Sequence, residues 1–359
     1  MGKTIFDIII VGAGPSGATL ARLLGGQRSV LLLDSRSYGE NGFVREKCCG
    51  GLLAPDAALQ LRRMGLTPPG HVCEAGQPLT VRALDLGASL SRPYGRAYVN
   101  LNRAAFEQWL VSLVPDSVVF AHGCRVSTML RKDGNWAVSV SGKGGAASYE
   151  GKLLVSAEGA ASLVRRRLDR KRLLHAQYLA VQDVYSGFHG GAAASGEYVA
   201  FYHPWYTDFY GWIIPKKDRV LVGAALPPRF RAPYAVGERM DALRDCLRLA
   251  GYGFDGHLRR EACLVLRPKP GDIFHGRDGA FCIGEAAGWI SPSSAEGFSY
   301  AFASARALAK AVLAGGNPEK VLAAYHRNTL ALKANIVWKT CKSPFMYVSP
   351  IRRFILRKG

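Results

Sequence analysis

The sequence predicts an α/β protein, in which a Rossmann-like nucleotide-binding domain is interleaved with a mixed β-sheet domain and followed by a helical C-terminal tail. Three stretches lead to this prediction: a strand, glycine turn and helix at the N-terminus, an aromatic, strand-rich segment in the middle, and a basic, aromatic C-terminal stretch. With 359 residues the chain is long enough to bury a large core.

The N-terminal segment carries the nucleotide-binding pattern. Residues 5–11, "IFDIIIV", form the near-continuous apolar run of a buried parallel strand. Gly12, Gly14 and Gly17 follow with G-x-G-x-x-G spacing. The first glycine permits a tight turn, the second lets the backbone approach a pyrophosphate, and the third lets the next helix pack closely on the strand. The pyrophosphate would then lie at the N-terminus of that helix.

The next predicted strand, "SVLLLD", ends in Asp34. An acidic residue at this place accepts hydrogen bonds from a ribose diol, and Asp34 comes 17 residues after Gly17, near the usual interval. A glycine turn alone is a weak signal, but strand, glycines, helix, strand and terminal acid together are specific. This part of the sequence therefore predicts a dinucleotide site.

Composition limits the partners and the location of the chain. The net charge of +20 favours an anionic partner: a nucleic acid, a membrane surface or a phosphorylated substrate. No helix-turn-helix, zinc-finger or RNA-binding signature is present, so we do not expect a nucleic-acid partner. Eight cysteines without C-x-x-C or zinc-ligand spacing predict reduced thiols in the cytoplasm and no metal site. No apolar run reaches the ~18 residues that a membrane span needs.

Residues 279–313 have the pattern of a strand, G-E-A-A-G, a proline loop and a long helix that starts near Glu296. This pattern resembles the second FAD signature of the p-hydroxybenzoate-hydroxylase-like flavoproteins. The resemblance implies FAD, with its ribityl chain bound by Glu285, which stands where most members have Asp. It also implies that the N-terminus of the long helix points at the flavin, where a positive dipole stabilises the reduced anion.

Three shorter stretches resemble the same superfamily. "LLVSAEGAASLVRRRL" resembles its internal Asp-Gly motif, with Glu158 and Gly159 in those places. "VNLNRAAFEQWL" resembles the segment whose arginine, here Arg103, contacts the cofactor, and "CRVSTM" the strand whose backbone, here at Val126, meets the adenine. No second dinucleotide fingerprint is present, so the electron donor, NADPH or a reduced ferredoxin-like protein, would bind transiently.

The chain is identified as a member of the geranylgeranyl reductase family, most similar to its CbrA-type branch. "KCCGGLL" resembles that family's K-P-C-G-G segment, and "FYGWIIPKK" its Y-x-W-x-F-P-K segment. "CGGLLAPDA" and "IGEAAGWIS" resemble the CbrA-type branch, and the match covers nearly the whole chain. Together, the glycine pattern and the resemblance predict these cofactor contacts: Gly12, Gly14, Pro15, Ser16, Gly17, Asp34, Ser35, Cys49, Gly50, Gly51, Arg103, Val126, Gly159, Gly284, Glu285, Pro292, Gly297 and Phe298.

The resemblance implies that "REKCCGG" forms a loop that faces the flavin. Gly50 and Gly51 would let the backbone come close to the ring, because neither carries a Cβ. Cys49 stands at the cysteine position of the family, and Cys48 replaces its proline. Two interpretations of Cys49 stay open: it donates a proton or positions the substrate, or it only packs beside the flavin.

Residues 201–212, "FYHPWYTDFYGW", contain seven aromatic residues. They form either the buried face of an antiparallel sheet or one wall of an apolar substrate chamber. Tyr210 and Trp212 are two residues apart and share one face of a strand, and with Cys49 they are the predicted catalytic residues. An isoprenoid chain suits such a chamber, because burial contributes about 0.8 kcal/mol per CH₂.

The C-terminal tail alternates aromatic and aliphatic residues with Lys and Arg between residues 335 and 358. This pattern indicates either an anchor on a membrane surface or helices that close the substrate pocket. We predict an FAD-binding domain of residues 1–75, 100–170 and 272–315, a substrate domain of residues 76–99 and 171–271, and a tail of residues 316–359.

The predicted function is an FAD-dependent reductase of isoprenoid double bonds, acting on a hydrophobic substrate with or without an anionic head group. The predicted location is the cytoplasm, with the inner face of the membrane as a peripheral site. One alternative is an aromatic monooxygenase or halogenase of the same fold, since Tyr210-x-Trp212-x-Ile214-Pro215 resembles the halogenase W-x-W-x-I-P pattern. The other alternative is a flavin-binding redox sensor at the membrane without catalytic activity.

Overall fold

The computed structural model of the protein describes residues 5–39, 42–43, 47–74, 78–142, 144–169, 176–190, 196–230 and 233–358. Its strands are β1 Ile5–Val11, β2 Val30–Asp34, β3 Tyr38–Gly39, β4 Gly42–Phe43, β5 Leu52–Leu53, β6 Leu79–Asp85, β7 Leu90–Asn100, β8 Val119–His122, β9 Cys124–Lys132, β10 Asn135–Gly142, β11 Gly145–Ser156, β12 Gln177–His189, β13 Glu197–Tyr202, β14 Gly211–Pro215, β15 Val220–Leu226, β16 Gly253–Leu266, β17 Gly276–Arg277 and β18 Ala280–Cys282. Its helices are α1 Pro15–Leu24, α2 Pro55–Arg62, α3 Arg103–Ser112, α4 Leu163–Leu168, α5 Pro233–Leu249, α6 Phe298–Leu313, α7 Pro318–Asn328, α8 Leu330–Tyr347 and α9 Ser349–Lys358.

The first sheet is the Rossmann-like part of the fold. Five parallel strands lie in the order β18-β11-β1-β2-β8, with β17 antiparallel at one edge and the β9–β10 hairpin joined to β11. In β1, Val11 lies opposite Leu33 of β2 and Ser156 of β11, so the strands end along a common edge. Helices α1 and α6 pack against each other beside the sheet. The predicted strand at residues 5–11 and the strand ending at Asp34 are confirmed.

The second sheet has the order β16-β12-β15-β14-β13-β6-β7-β5. Neighbouring strands are antiparallel except β6 and β13, which are parallel, so the sheet is mixed as predicted. Helix α5 contributes Met240, Leu243 and Leu247 to the apolar core on one face, together with Val222 and Phe201. The opposite face carries a separate apolar cluster, which includes Trp212, Ile214 and Ala225.

Helices close the chain, as the sequence predicts. The helix expected near Glu296 begins at Phe298, and α7, α8 and α9 follow it. On α9, Arg352 forms a buried ion pair with Asp85 of β6, with Nη2 and Oδ2 2.7 Å apart. Among the described residues, none of the helices combines the length and the apolar character that a membrane span requires. The domain boundaries given above stay a prediction.

Candidate cofactor and substrate site

A cavity of about 860 Å³ lies between the two sheets and is lined by residues of both. Most residues predicted to contact the cofactor line it: Gly12, Gly14, Pro15, Ser16, Asp34, Ser35, Cys49, Gly50, Gly51, Arg103, Val126, Gly159, Glu285, Gly297 and Phe298. The predicted catalytic residues Cys49, Tyr210 and Trp212 line the same cavity. The structure therefore brings the two predicted sets together.

Three residues of the predicted set, Gly17, Gly284 and Pro292, lie outside the cavity wall. A Cβ on Gly17 would stand 1.8 Å from the carbonyl oxygen of Gly12, so this glycine allows the close packing that the motif predicts. Gly284 has a φ of +55° and supports a turn, and the carbonyl of Pro292 accepts a hydrogen bond from Arg267 Nε at 3.2 Å. Contacts of these three with a cofactor stay a prediction.

The cavity fits a dinucleotide at its glycine turn. A Cβ on Gly14 would meet nothing within 4 Å, so the cavity side of this residue is open. Gly12, by contrast, has a φ of +104°, and its Cβ would stand 2.6 Å from the carbonyl oxygen of Ala157. Nearby on the wall, the buried Nε of Arg103 has no hydrogen-bond partner among the described residues. Open space at the helix N-terminus and an unpaired guanidinium N–H both suit an anionic cofactor.

Asp34 is already hydrogen-bonded within the protein. Its Oδ2 accepts hydrogen bonds from Ala13 N at 2.7 Å and from Arg36 Nη2 at 3.2 Å. Its Oδ1 accepts hydrogen bonds from Arg36 N at 2.7 Å and from Arg36 Nε at 3.1 Å. A carboxylate has about four acceptor positions, and here all are used. The predicted ribose contact therefore requires the Arg36 side chain to release one of them.

A buried ion-pair chain continues from Asp34 to Arg103. Arg36 Nη1 lies 2.6 Å from Glu107 Oε2, and Glu107 Oε1 pairs with Arg103. Burial raises the pKa of Glu107, but the two arginines outweigh burial and lower it to about 2. Arg103 also lies over the ring of Phe298, 4.7 Å from its centroid. The permanent negative charge of Glu107 thus holds Arg103 in the cavity wall.

Glu285 faces the cavity from the short turn after β18. Its Oε1 accepts a hydrogen bond from Leu266 N at 2.8 Å, and its Oε2 lies 3.6 Å from Lys47 Nζ. The Glu285 carboxylate raises the pKa of Lys47. A Cβ on Gly159 would stand 3.7 Å from Oε2, so Gly159 leaves room for this carboxylate. The Glu158 side chain, in contrast, accepts hydrogen bonds from Leu163 N and Val164 N and caps α4.

The CCGG loop lines the cavity, and contacts within the protein also require its two glycines, while their approach to the flavin stays a prediction. A Cβ on Gly50 would stand 2.5 Å from Ile214 Cδ1, and one on Gly51 would stand 2.6 Å from the carbonyl oxygen of Leu101. Both missing side chains therefore face the protein and not the cavity. The glycines let the loop lie flat on β14 and on the end of β7. Gly51 also has a φ of +63°, which favours glycine.

Lys216 lies beneath this loop and was not predicted. Its Nζ donates hydrogen bonds to Asn100 Oδ1 at 2.6 Å and to the Leu101 carbonyl at 2.9 Å. Burial lowers the pKa of Lys216 to about 8, although Glu74 opposes the shift. A Cβ on Gly51 would stand 3.1 Å from Nζ. Lys216 therefore supports the loop from the side opposite the cavity.

The Lys216 ammonium makes stability depend on pH. Between pH 8 and the ordinary lysine pKa of 10.5, the unfolded chain binds this proton more strongly than the folded chain. The free energy of unfolding should therefore rise with pH in this window, by up to about 3 kcal/mol relative to Lys216→Met. Urea unfolding of both proteins across the window measures the difference. Lys217→Met, at the exposed neighbour, is the control, and an equal pH slope in wild type and Lys216→Met would contradict the prediction.

The predicted catalytic side chains line the same cavity, but they differ in their hydrogen bonds. The Tyr210 and Trp212 rings are 5.9 Å apart in an edge arrangement. The Tyr210 hydroxyl donates to the Ser294 carbonyl at 2.7 Å, and Trp212 Nε1 donates to Gln182 Oε1 at 3.3 Å. Cys49 Sγ accepts a weak hydrogen bond from Gly51 N at 3.4 Å, and its thiol has no acceptor among the residues that the structure describes. Of the three, Cys49 is the one with an uncommitted proton.

Tyr198 is a residue of the cavity wall that the sequence analysis missed. It lines the cavity, is 91% buried, and its hydroxyl has no hydrogen-bond partner among the residues that the structure describes. The neighbouring Tyr98 hydroxyl, in contrast, donates to Glu296. Tyr198 lies opposite Val81 in the parallel pairing of β13 with β6, which joins distant parts of the chain. It also lies just outside the aromatic segment, so no local pattern in the sequence marked it.

The fold is similar to those of several proteins of known structure, flavin-dependent enzymes among them. A geranylgeranyl bacteriochlorophyll reductase-like protein from Thermoplasma acidophilum has a TM-score of 0.74 and 16% identity, over 96% of this chain and 91% of that one. The flavin-dependent brominase Bmp2 has a TM-score of 0.72 and 19% identity, over 99% and 93%. A probable FAD-dependent monooxygenase from Pseudomonas aeruginosa, PqsL, has a TM-score of 0.68 and 19% identity, over 96% and 97%. The predicted fold class is thereby confirmed.

Similarity in sequence is much closer to a set of bacterial proteins. Protein CbrA of Escherichia coli O6:H1 is 37% identical over 356 residues, which cover 99% of this chain and 93% of that protein. Protein CbrA of Escherichia coli O157:H7 is also 37% identical, over 99% and 97%. No family model matches the chain. Since these relatives align along almost their whole length, the chain belongs to the CbrA family.

Proposed function

We propose that the protein is an FAD-dependent oxidoreductase that reduces carbon–carbon double bonds of an isoprenoid. One observation carries the proposal: the cavity joins a dinucleotide end, with open space at Gly14, to an apolar end that holds proton-bearing groups. The wall there includes Trp212, Ile214 and Ala225, and Cys49 and Tyr198 line the same cavity. An apolar chain fits such a wall, and a double bond lying there would have a proton source beside it.

The residues of the cavity have different roles in the proposed reaction. Gly12, Gly14, Arg103 and Glu285 would hold FAD, which supplies a hydride when it is bound in its reduced form. The thiol of Cys49 holds the proton for the other carbon of the double bond. The apolar wall excludes water, and the aromatic face of Trp212 stabilises partial positive charge on the substrate.

Further parts of the proposal concern the surroundings of the reaction. The donor of electrons is NADPH or a reduced ferredoxin-like protein, which binds transiently, and the protein acts in the cytoplasm. All eight cysteines are free, which suits a reducing compartment. The likeness in fold to a protein described as geranylgeranyl bacteriochlorophyll reductase-like supports the substrate class.

A second candidate is an aromatic monooxygenase or halogenase. The observation that favours it is the placement of Tyr210 and Trp212 side by side on the cavity wall, together with the likeness in fold to a brominase. The thiol-bearing CCGG loop at the same wall favours the reductase, because a thiol can deliver a proton to a carbon centre. A flavin-binding sensor would bind the cofactor and convert neither kind of substrate.

The test compares two reactions of one preparation. Protein reduced with dithionite under anaerobic conditions is mixed with geranylgeranyl diphosphate, and the products are analysed by mass spectrometry. The reductase proposal expects a gain of two hydrogen atoms per reduced bond. The same protein is then given NADPH, oxygen and phenolic substrates, with and without bromide. Oxygen or bromine incorporation without any alkene reduction would favour the second candidate, and no product in either assay would favour the sensor.

A further inference from the structure

We propose that the outer surface of the last two helices docks on a bilayer that contains anionic lipids. The tail face, as we call this surface, consists of exposed apolar side chains on α8, on α9 and between them: Leu330, Val337, Trp338, Phe345, Val348, Ile351, Phe354 and Ile355. They make up eight of the sixteen exposed large hydrophobic side chains among the described residues. Vesicle binding needs no turnover, so this proposal stands independently of the reaction.

The opposite sides of the two helices are used for packing. Ile336 of α8 is fully buried, and the Tyr347 hydroxyl donates to the Ser293 carbonyl at 2.6 Å. Arg352 of α9 is buried against Asp85. The helices are therefore fixed on the body of the protein by one side, and the tail face is what the other side exposes.

The exposed positions follow helical spacing. Trp338 and Phe345 are seven residues apart on α8, and Ile351, Phe354 and Ile355 have i, i+3, i+4 spacing on α9. Exposure of the three aromatic side chains is substantial: 59% for Trp338, 55% for Phe345 and 57% for Phe354. Each helix thus carries an apolar stripe that the rest of the described chain leaves uncovered.

Charge on this surface has one sign. Residues 330–358 contain seven Lys and Arg and no Asp or Glu. Lys333, Lys342, Arg357 and Lys358 are exposed. Lys342 Nζ lies 4.6 Å from the centroid of the Trp338 ring, and Lys358 Nζ lies 4.6 Å from that of Phe354. Apolar rings with cations directly beside them match the boundary between acyl chains and anionic head groups.

Charge complementarity indicates which partner binds the tail face. A second copy of the chain would bring one acid-free cationic face against another, in a protein of net charge +20. An acidic protein would pair with the cations. It would not account for the two uncovered apolar stripes, one on each of the consecutive helices α8 and α9. A bilayer with anionic head groups satisfies both parts at once, because the rings enter the acyl boundary while the cations stay among the head groups.

The first test removes the apolar part. The full-length protein is sedimented with phosphatidylcholine vesicles that do or do not contain phosphatidylglycerol. Wild type should bind the anionic vesicles, and a Trp338→Ala, Phe345→Ala, Phe354→Ala triple variant should bind them at least tenfold more weakly. A control triple, Leu130→Ala, Leu249→Ala, Leu258→Ala, removes apolar side chains that are at least as exposed elsewhere and should bind like wild type.

The second test removes charge and leaves the apolar stripes intact. Lys342→Gln with Lys358→Gln should weaken binding roughly twentyfold, since each cation near the surface contributes about fivefold. Lys132→Gln with Lys310→Gln, exposed elsewhere, is the matched control. Equal binding by all variants would overturn the proposal. So would failure of folded wild type to bind anionic vesicles, and an acidic protein or a second copy would then be the occupant to seek.

Discussion

Gly14→Val should abolish FAD binding and leave the fold intact. The backbone of Gly14 has φ −71° and ψ −174°, an extended conformation that valine adopts readily. Its Cβ would meet no atom of the other described residues within 4 Å, so the valine side chain would extend into the cavity. That space is where a pyrophosphate has to approach the backbone. FAD released by denaturing equal amounts of purified wild type and variant measures the loss, which should exceed tenfold.

Gly17→Ala is the control that separates cofactor loss from loss of structure. Its Cβ would stand 1.8 Å from the Gly12 carbonyl oxygen, so the turn and α1 have to move apart. We expect the free energy of unfolding of the apoprotein to fall by about 3 kcal/mol. Apo Gly14→Val, in contrast, should unfold in urea at the same midpoint as apo wild type. Full FAD content in Gly14→Val would show that the phosphate site lies elsewhere.

Cys49→Ala should slow the reoxidation of reduced flavin by the substrate by about 10²- to 10⁴-fold, the usual contribution of a general acid. FAD content should hardly change, because alanine fits the same loop position. Cys49→Ser should recover little of the rate, since a hydroxyl releases a proton far less readily than a thiol. Anaerobic stopped-flow, with dithionite-reduced protein and geranylgeranyl diphosphate, measures substrate-dependent reoxidation. FAD content measured in parallel gives a readout independent of turnover.

Two tyrosine variants make this result specific. Tyr210→Phe should have a small effect, because the Tyr210 proton is directed at the Ser294 carbonyl. Tyr198→Phe tests the other uncommitted proton in the wall. If Cys49→Ala reoxidises at the wild-type rate while Tyr198→Phe is slow, the thiol only packs beside the cofactor and the tyrosine supplies the proton.

Local patterns account for the parts of the fold that the sequence predicts. The first strand, its three glycines and the strand ending at Asp34 lie within about 30 residues, and each depends on its neighbours in sequence. The same holds for the helix at Phe298, which follows a turn and a proline loop. Such features could be predicted because hydrophobic period and turn chemistry are local properties.

Other features of the site depend on contacts between distant residues. The missing Cβ atoms of the CCGG loop would meet Ile214 of β14 and Leu101 just after β7, which are distant in sequence. Tyr198 reaches the cavity because β13 pairs with β6, and no periodicity encodes that pairing. Arg36, two residues away, fills three of the four acceptor positions of Asp34, and its side chain also pairs with Glu107 of α3.

The proline loop between β18 and α6 receives hydrogen bonds from two sides. Tyr347 donates to the carbonyl of Ser293 from the tail, and Tyr210 donates to the next carbonyl, that of Ser294, from the cavity wall. A restraint on either tyrosine therefore acts on one of two consecutive peptide groups, which share Ser294. Thermodynamic linkage makes such coupling reciprocal. If a lipid surface that steadies α8 raises ligand affinity by some factor, a ligand in the cavity must raise the affinity for that surface by the same factor.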